Sequence, residues 1–314
     1  KSTTFLALAA NGKECFMFDV VIIGAGPAGL ACGIYAARGG LKVAIIESQS
    51  VGGQAQQAAD IQNYPGIPST SGFDLCYAMM NQCVSFGVEF KFDGIISTSL
   101  VAGTKTIRLA SGDTIEARNV VIATGAAARK LDLANESKFT GKGISYCATC
   151  DGAFFKGKTV AVIGGGNTAA EDALYLEKIA KKVYMVHRRD ALRADDILAK
   201  RLEASSVEMV WNSVVENLNG DDKLAQMTLK DVKTGSLTTI SVDGVFVAIG
   251  QTPSSQGFDG VKLTKSGYIV TDENMHTDID GVFAVGDVRE KSLRQVVTAC
   301  ADGAIAANAI VNGI

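Results

Sequence analysis

The sequence is poor in proline, histidine and tryptophan, with four, two and one among 314 residues. So little proline predicts helices that are seldom interrupted. Two histidines leave a structural zinc centre short of the roughly four ligands it needs, because the seven cysteines provide only one pair at Cys-x-x-Cys spacing. Five of them, Cys15, Cys32, Cys76, Cys83 and Cys300, are scattered and the total is odd. A secreted disulfide framework does not look like that, and a reducing cytoplasm is the expected compartment. Charge of one sign is also missing: 30 Lys plus Arg face 33 Asp plus Glu, for a net charge of −3. There is no broad basic footprint, so nucleic acid is excluded as a general partner. The longest apolar runs, over 20–23 and 245–249, fall far short of the roughly 20 residues that span a bilayer, and no membrane partner is expected. Residues 1–16 hold only a short apolar piece and read as an extension, with Met17 a natural start for the folded unit.

Glycine, in contrast, is abundant at 34 residues, and 47% of the chain is apolar. At about 150 residues per domain the length predicts two domains, and the glycines suit a fold whose backbone closely approaches a ligand.

One pattern occurs twice. Residues 19–23 are apolar after Asp19 and run into Gly24-Ala25-Gly26-Pro27-Ala28-Gly29; residues 159–163 run into Gly164-Gly165-Gly166-Asn167-Thr168-Ala169. Small residues at helical spacing follow each turn, and a second strand is predicted over 42–47 and over 182–187. This is β-α-β twice, about 140 residues apart. In such a unit one glycine permits the tight turn, one lets a pyrophosphate reach the backbone, and a third small residue lets helix pack on strand.

The copies differ where specificity is set. The first closes its second strand with Glu47, placed to accept hydrogen bonds from both hydroxyls of an adenosine ribose, which reads as FAD or NAD. The second ends in His187-Arg188-Arg189 with Arg193 four residues on, and guanidinium groups there suit a 2′-phosphate, hence NADPH. Three further strands are predicted to end at glycine, over 119–125 with Thr124 and Gly125, over 243–250, and over 281–287 with Gly286 and Asp287. Asp287 could bind a ribityl chain or a hydroxyl near a phosphate, or simply cap a turn. Cys76, Met79, Met80 and Cys83 recur at helical spacing before Gly87 and read as core.

Cys147-Ala-Thr-Cys150-Asp151 precedes the second glycine-rich unit. The spacing lets two sulfurs close a small ring and reopen it by exchange, with Asp151 next door to move the proton. Together with GAGPAG, Gly52-Gly53-Gln54, GGGNTAAE, HRRDALRA and GVFAVGDVREKSLRQVV, the motif makes residues 17–314 resemble low-molecular-weight thioredoxin reductases. The order of motifs carries the likeness, because a CxxC inside the pyridine-nucleotide domain distinguishes this branch from the larger flavin disulfide reductases.

The resemblance implies an α/β fold of two Rossmann-like, three-layer dinucleotide-binding domains. The FAD domain would be discontinuous, over 17–126 and 253–314, with the NADPH domain over 127–252 inserted in it. It also implies a homodimer that reduces thioredoxin or a thioredoxin-like protein. By the same likeness Cys150 faces the flavin, Cys147 attacks the partner disulfide and Asp151 is the acid; Gly24, Gly26, Glu47, Gln54, Asn63, Gly286, Asp287, Arg294, Gln295 and Val296 contact FAD. Other readings are a reductase of a peroxiredoxin- or glutaredoxin-like protein, a ferredoxin-driven relative, and a redox sensor without turnover.

Overall fold

The computed structural model describes residues 15–58, 60–101 and 103–313. The chain divides into two compact units, one made of residues up to Ala127 and from Thr252 onward, the other of Ala128–Gln251.

The first unit opens with β1 (Cys15–Ile23), α1 (Pro27–Arg38) and β2 (Val43–Glu47), followed by α2 (Gly72–Ser85), β3 (Glu89–Phe92), β4 (Ile95–Ser99), β5 (Lys105–Leu109), β6 (Thr114–Ile122) and the short β7 (Ala126–Ala128). The strand order β3-β2-β1-β6 is parallel throughout. The other edge of β6 is shared: its first half pairs antiparallel with β5, which carries β4. Alternation along β1 separates the two faces. Val20 and Ile22 point to a core shared with the helices, while Val21 and Ile23 join Ile107, Ile115 and Val282 on the opposite side. Two sequence expectations are corrected here. The first strand begins at Cys15, two residues before Met17, because Cys15 and Phe16 pair with Thr114 and Ile115 of β6. Strand β6 likewise starts at Thr114, well before residue 119, because β5 gives its first half a partner. The rest of the proposed extension, residues 1–14, lies outside the described residues.

The second unit contains α3 (Glu136–Phe139), β8 (Ile144–Ser145), α4 (Ala148–Asp151), β9 (Thr159–Ile163), α5 (Asn167–Glu177), β10 (Lys182–Val186), α6 (Asp196–Glu203) and β11 (Glu208–Val210). A hairpin sheet of β12 (Ser213–Asn219), β13 (Gln226–Asp231) and β14 (Leu237–Ser241) follows, then β15 (Gly244–Val247). Its main sheet, β11-β10-β9-β15-β8, is wholly parallel. Strands β9 and β15 are apolar on both faces, as strands covered on both sides must be.

The chain returns through β16 (Gln251–Pro253), and β17 (Val282–Ala284) adds to the free half of β6 before α7 (Val296–Asn312) closes the first unit. Helix α7 lies against α1 so closely that a Cβ on Gly303 would meet the Ala28 carbonyl oxygen at 2.1 Å. The small residues Ala28, Ala31, Gly303, Ala306 and Ala307 make that approach feasible, and it fixes the loop before α7 beside the first glycine-rich turn.

Candidate active site

In the first turn, Gly24 has φ +108°, and a Cβ there would lie 2.5 Å from the Ala123 carbonyl oxygen, so only glycine fits. A Cβ on Gly29 would sit 2.0 Å from the Gly24 oxygen, which makes it the residue that lets α1 approach β1. Gly26 differs: nothing lies within 4 Å of its missing Cβ. It faces open space at the N-terminus of α1, where no side chain caps the helix and Pro27 occupies the first turn. Free N–H groups and the positive helix end are thus left for an anionic ligand. Glu47 stands at the tip of β2, with Oε2 accepting the Ala25 N–H at 2.9 Å and Oε1 the Gln49 N–H at 2.8 Å. Each oxygen keeps a lone pair for a ribose hydroxyl.

These residues border a cleft of about 640 Å³, which Gly24, Gly26, Pro27, Ala28, Glu47, Gly53, Gln54, Thr124, Gly125, Gly286, Asp287, Gln295 and Val296 line. That volume falls within the range of cofactor sites, about 300–1,000 Å³. Three sequence-selected residues are not among those that line it. Ala25 is buried and engaged with Glu47, Asn63 Nδ2 donates to Gln295 Oε1 at 3.0 Å, and the Arg294 guanidinium lies 4.3 Å over the Tyr268 ring.

Asp287 caps nothing: its Oδ1 is buried with no partner among the described residues, and burial raises its pKa against the pull of Lys291 and Arg294. Arg294 Nε is left the same way. The residue that organises this corner is one that sequence reasoning passed over. Asp302 of α7, 6% exposed, accepts the Gly286 N–H at 3.0 Å and pairs with Lys291 at 2.7 Å and Arg289 at 3.4 Å. Its only signal in the sequence is a carboxylate inside an alanine-rich helix.

The second turn repeats the geometry. A Cβ on Gly164 would meet the Ala248 oxygen at 2.4 Å, Gly166 faces open space, and α5 starts there with Asn167 and Thr168 exposed in its uncapped first turn. Asn167 is tied to Asp195 by two hydrogen bonds of 2.7 and 2.9 Å, and the Arg193 N–H donates to the Gly165 oxygen at 2.7 Å. The segment after β10 is thereby held against the turn. Arg188, Arg189 and Arg193 are exposed, and no carboxylate pairs with any of them among the described residues. His187 is separate from that surface. Its ring, 4% exposed, lies under Gly165 and edge-on to Trp211 at 6.3 Å, with Nε2 unpartnered and its pKa lowered by burial. Trp211, without a role in the sequence, thus acquires a packing one.

Cys147 and Cys150 are joined as a disulfide, with Cys147 at the N-cap of α4 and half-buried, and Cys150 exposed. The Cys150 N–H points at Cys147 Sγ, 3.2 Å away. A sulfur at a helix N-terminus is where a thiolate is stabilised. Ser145, also unmarked in the sequence, links the pieces: its hydroxyl donates to Asp151 Oδ2 at 2.6 Å and its oxygen accepts the Cys147 N–H at 3.1 Å. Burial pushes the Asp151 pKa up, opposed by the Ser145 hydrogen bond. The arrangement can open and close a disulfide and hold a proton beside it. Cys32, Cys76, Cys83 and Cys300 are unpaired, and Cys76, Met79 and Cys83 belong to the core of the first unit with Met80 packed against it.

Residues 18–303 match the family model of the pyridine nucleotide-disulphide oxidoreductases. The chain is 45% identical to a thioredoxin reductase of Peptoclostridium acidaminophilum, covering 93% of this chain and 95% of the relative. It is 42% identical to one of Bacillus subtilis, covering 94% of each. Among solved structures, the thioredoxin reductase of Streptococcus pyogenes MGAS5005 superimposes with a TM-score of 0.89 at 42% identity, covering 94% of this chain and 97% of that one. The enzyme of Giardia duodenalis gives 0.90 at 34% identity, covering 95% and 100%. With a redox disulfide in the unit that carries the second dinucleotide turn, the chain belongs to the pyridine nucleotide-disulphide oxidoreductases and, among them, to the thioredoxin reductase branch.

Proposed function

We propose that this oxidoreductase takes electrons from NADPH through FAD to the Cys147–Cys150 pair, and from there to the disulfide of thioredoxin or a thioredoxin-like protein. The observation that carries the reading is the accessible disulfide at a helix N-terminus with the Ser145–Asp151 pair beside it.

FAD is assigned to the unit of residues up to Ala127 and from Thr252, and NADPH to Ala128–Gln251. The residues fit both groups. The open space at Gly26 and the orphaned Asp287 Oδ1 suit a pyrophosphate and a sugar-like hydroxyl chain, and the three unpaired guanidinium groups suit a 2′-phosphate. When bound, the flavin supplies the hydride chemistry that links nicotinamide to disulfide. The protein's part is orientation and proton handling. Glu47 and the N-terminus of α1 hold the first nucleotide, and the N-terminus of α5 with Arg188, Arg189 and Arg193 the second. Asp151 holds the proton that a cysteine sulfur takes when the S–S bond opens. In the exchange with the partner, the Cys147 thiolate attacks one sulfur of the partner disulfide and forms a mixed disulfide. Cys150 then attacks Cys147, closing the ring and releasing the partner with both sulfurs reduced.

A homodimer is part of the proposal, supported by the exposed apolar side chains Tyr35, Phe73, Tyr77, Val84 and Phe86 on and beside α1 and α2, with Phe73 and Tyr77 stacked at 5.8 Å. A cytoplasmic setting is supported by the unpaired cysteines. No helix among the described residues is long and apolar enough to cross a membrane.

The test is an anaerobic titration of the yellow protein with NADPH and, separately, NADH, following flavin absorbance and counting thiols. NADPH should bleach the flavin at far lower concentration and expose two extra thiols per chain, and thioredoxin should then turn over. Cys150→Ser should still bleach but lose disulfide reduction; full turnover by that variant would overturn the reading.

A further inference from the structure

Glu136 is a carboxylate that the reaction outlined above does not use. It opens the short α3, is 3% exposed, and works with both oxygens. Oε1 accepts the Leu131 N–H at 2.9 Å and the Tyr146 hydroxyl at 2.7 Å, and Oε2 accepts the Asp132 N–H at 3.0 Å. Burial of a carboxylate is tolerated where donors surround it in this way. On one side Glu136 fixes a tight bend, since Asp132 has φ +61°, a conformation uncommon for residues other than glycine. On the other side it holds Tyr146, the residue bonded to Cys147. Burial, then the hydrogen bond to Glu136, raise the Tyr146 pKa to about 12, opposed by a hydrogen bond with Thr140, so the hydroxyl stays protonated and donates.

The chain that enters the redox turn is anchored residue by residue. Ile144 and Ser145 pair with Val245 and Phe246 of β15, and β8 ends there. Tyr146 is held beyond the strand by its hydroxyl and by packing on the core that contains Phe139 and Ile144. Cys147 follows, with its N–H on the Ser145 hydroxyl oxygen at 3.1 Å. Cys150 stands instead in α4, four residues that are too few to sustain a helix alone.

We propose that Glu136, acting through Tyr146, is a positioning residue for the redox pair: it keeps Cys147 in place when the S–S bond opens, so that the two thiols stay near each other and the ring closes readily. The inference rests on the reading of Cys147–Cys150 as the redox couple and names what sets its readiness to close. Closing a ring costs the conformational entropy of bringing its ends together. An anchor that already restricts the open form removes part of that cost. Without the anchor the disulfide form is still restrained by its own ring while the dithiol form loosens, and the equilibrium moves toward the dithiol.

The experiment equilibrates the holoenzyme anaerobically in glutathione buffers of graded ratio, traps thiols with acid and alkylation, and counts the Cys147–Cys150 disulfide by peptide mass spectrometry. In this exchange the S–S bond of the pair breaks, two glutathione thiols supply two electrons and two protons, and they leave joined as glutathione disulfide. Tyr146→Phe keeps the ring and removes only the hydroxyl, and it should lower the equilibrium constant for closing the Cys147–Cys150 bond about threefold, toward the low end of what one hydrogen bond contributes. Glu136→Ala should shift the constant in the same direction, and Tyr146→Phe added to it should shift it no further, because both act through one hydrogen bond. An unchanged constant for Tyr146→Phe, with or without a lower Tm, would overturn the proposal and mark the bond as one of packing alone; this single variant decides the matter if Glu136→Ala does not fold. A full Tyr146→Phe shift in the Glu136→Ala background would also overturn it, since the hydroxyl would then act through another group. Because glutathione supplies the electrons, a flavin that NADPH does not bleach would count against the proposed function and leave this equilibrium readable.

Discussion

The two glycine-rich turns are built on one backbone plan and closed by opposite chemistry. In each, the first glycine N–H donates to the second strand, Gly24 to Ile46 and Gly164 to Val186. The next residue along that strand is Glu47 in one copy and His187 in the other. The carboxylate takes the Ala25 N–H, and a methyl group at position 25 fits beside it. An imidazole is bulkier and lies flat under the turn, so position 165 must be glycine: a Cβ there would come within 2.2 Å of the ring. The middle residue of each turn is thus set by the tip of the neighbouring strand. It follows that the acidic or basic character of the strand tip and the size of the turn residue are one feature.

The largest break in this comparison is expected from removing the charges of the second copy. Arg188→Ala with Arg189→Ala should lower the preference for NADPH over NADH by at least about 100-fold in kcat/KM, given about 1.5–3 kcal/mol for each hydrogen bond to a charged group. The flavin content should not change.

Gly165→Ala should act next most strongly. Displacing the His187 ring costs about 1–3 kcal/mol of stability, as overpacking does, and about a tenfold rise in the NADPH dissociation constant should follow, measured by flavin bleaching. Ala25→Gly, the reciprocal change, should cost only about 0.5–1 kcal/mol by thermal unfolding, with cofactor retained.

Glu47→Gln should weaken FAD retention about fivefold in dialysis against apo-protein, since an amide replaces a carboxylate that accepts two backbone N–H groups and can accept from a ribose. The smallest effect is a pH dependence. Burial holds the His187 pKa below its ordinary value. The unfolded chain then binds the extra proton first, so the stabilisation is complete above about pH 6.5 and is lost as pH falls through the folded value. His187→Gln should accordingly flatten the decline of Tm below pH 6.5 by a few degrees, and Glu47→Gln should not.

Much of the site was readable from the sequence because dinucleotide turns are local. The glycines, the strand before them and the helix after them lie within a dozen residues, and steric limits on φ and on close approach allow few alternatives. The Cys147–Cys150 spacing is equally local. Two residues carry no motif that marks them. Ser145 is local, two residues before Cys147 and six before Asp151, but a lone serine does not show where its hydroxyl points; Asp302 matters because α7 brings it back to the Gly286 N–H, 16 residues earlier in the chain.

The sequence by itself determined the two nucleotide turns, the acidic and basic strand tips, the redox pair and the α/β pattern, since each is written in contiguous residue types and periodicity. Only the tertiary structure decided that β1 begins at Cys15, that His187 lies under Gly165 apart from the arginines, and that Asp287 is orphaned while Asp302 is paired. Strand ends, buried pairs and orphaned atoms depend on which distant segment arrives alongside, and packing between segments far apart in the chain settles that.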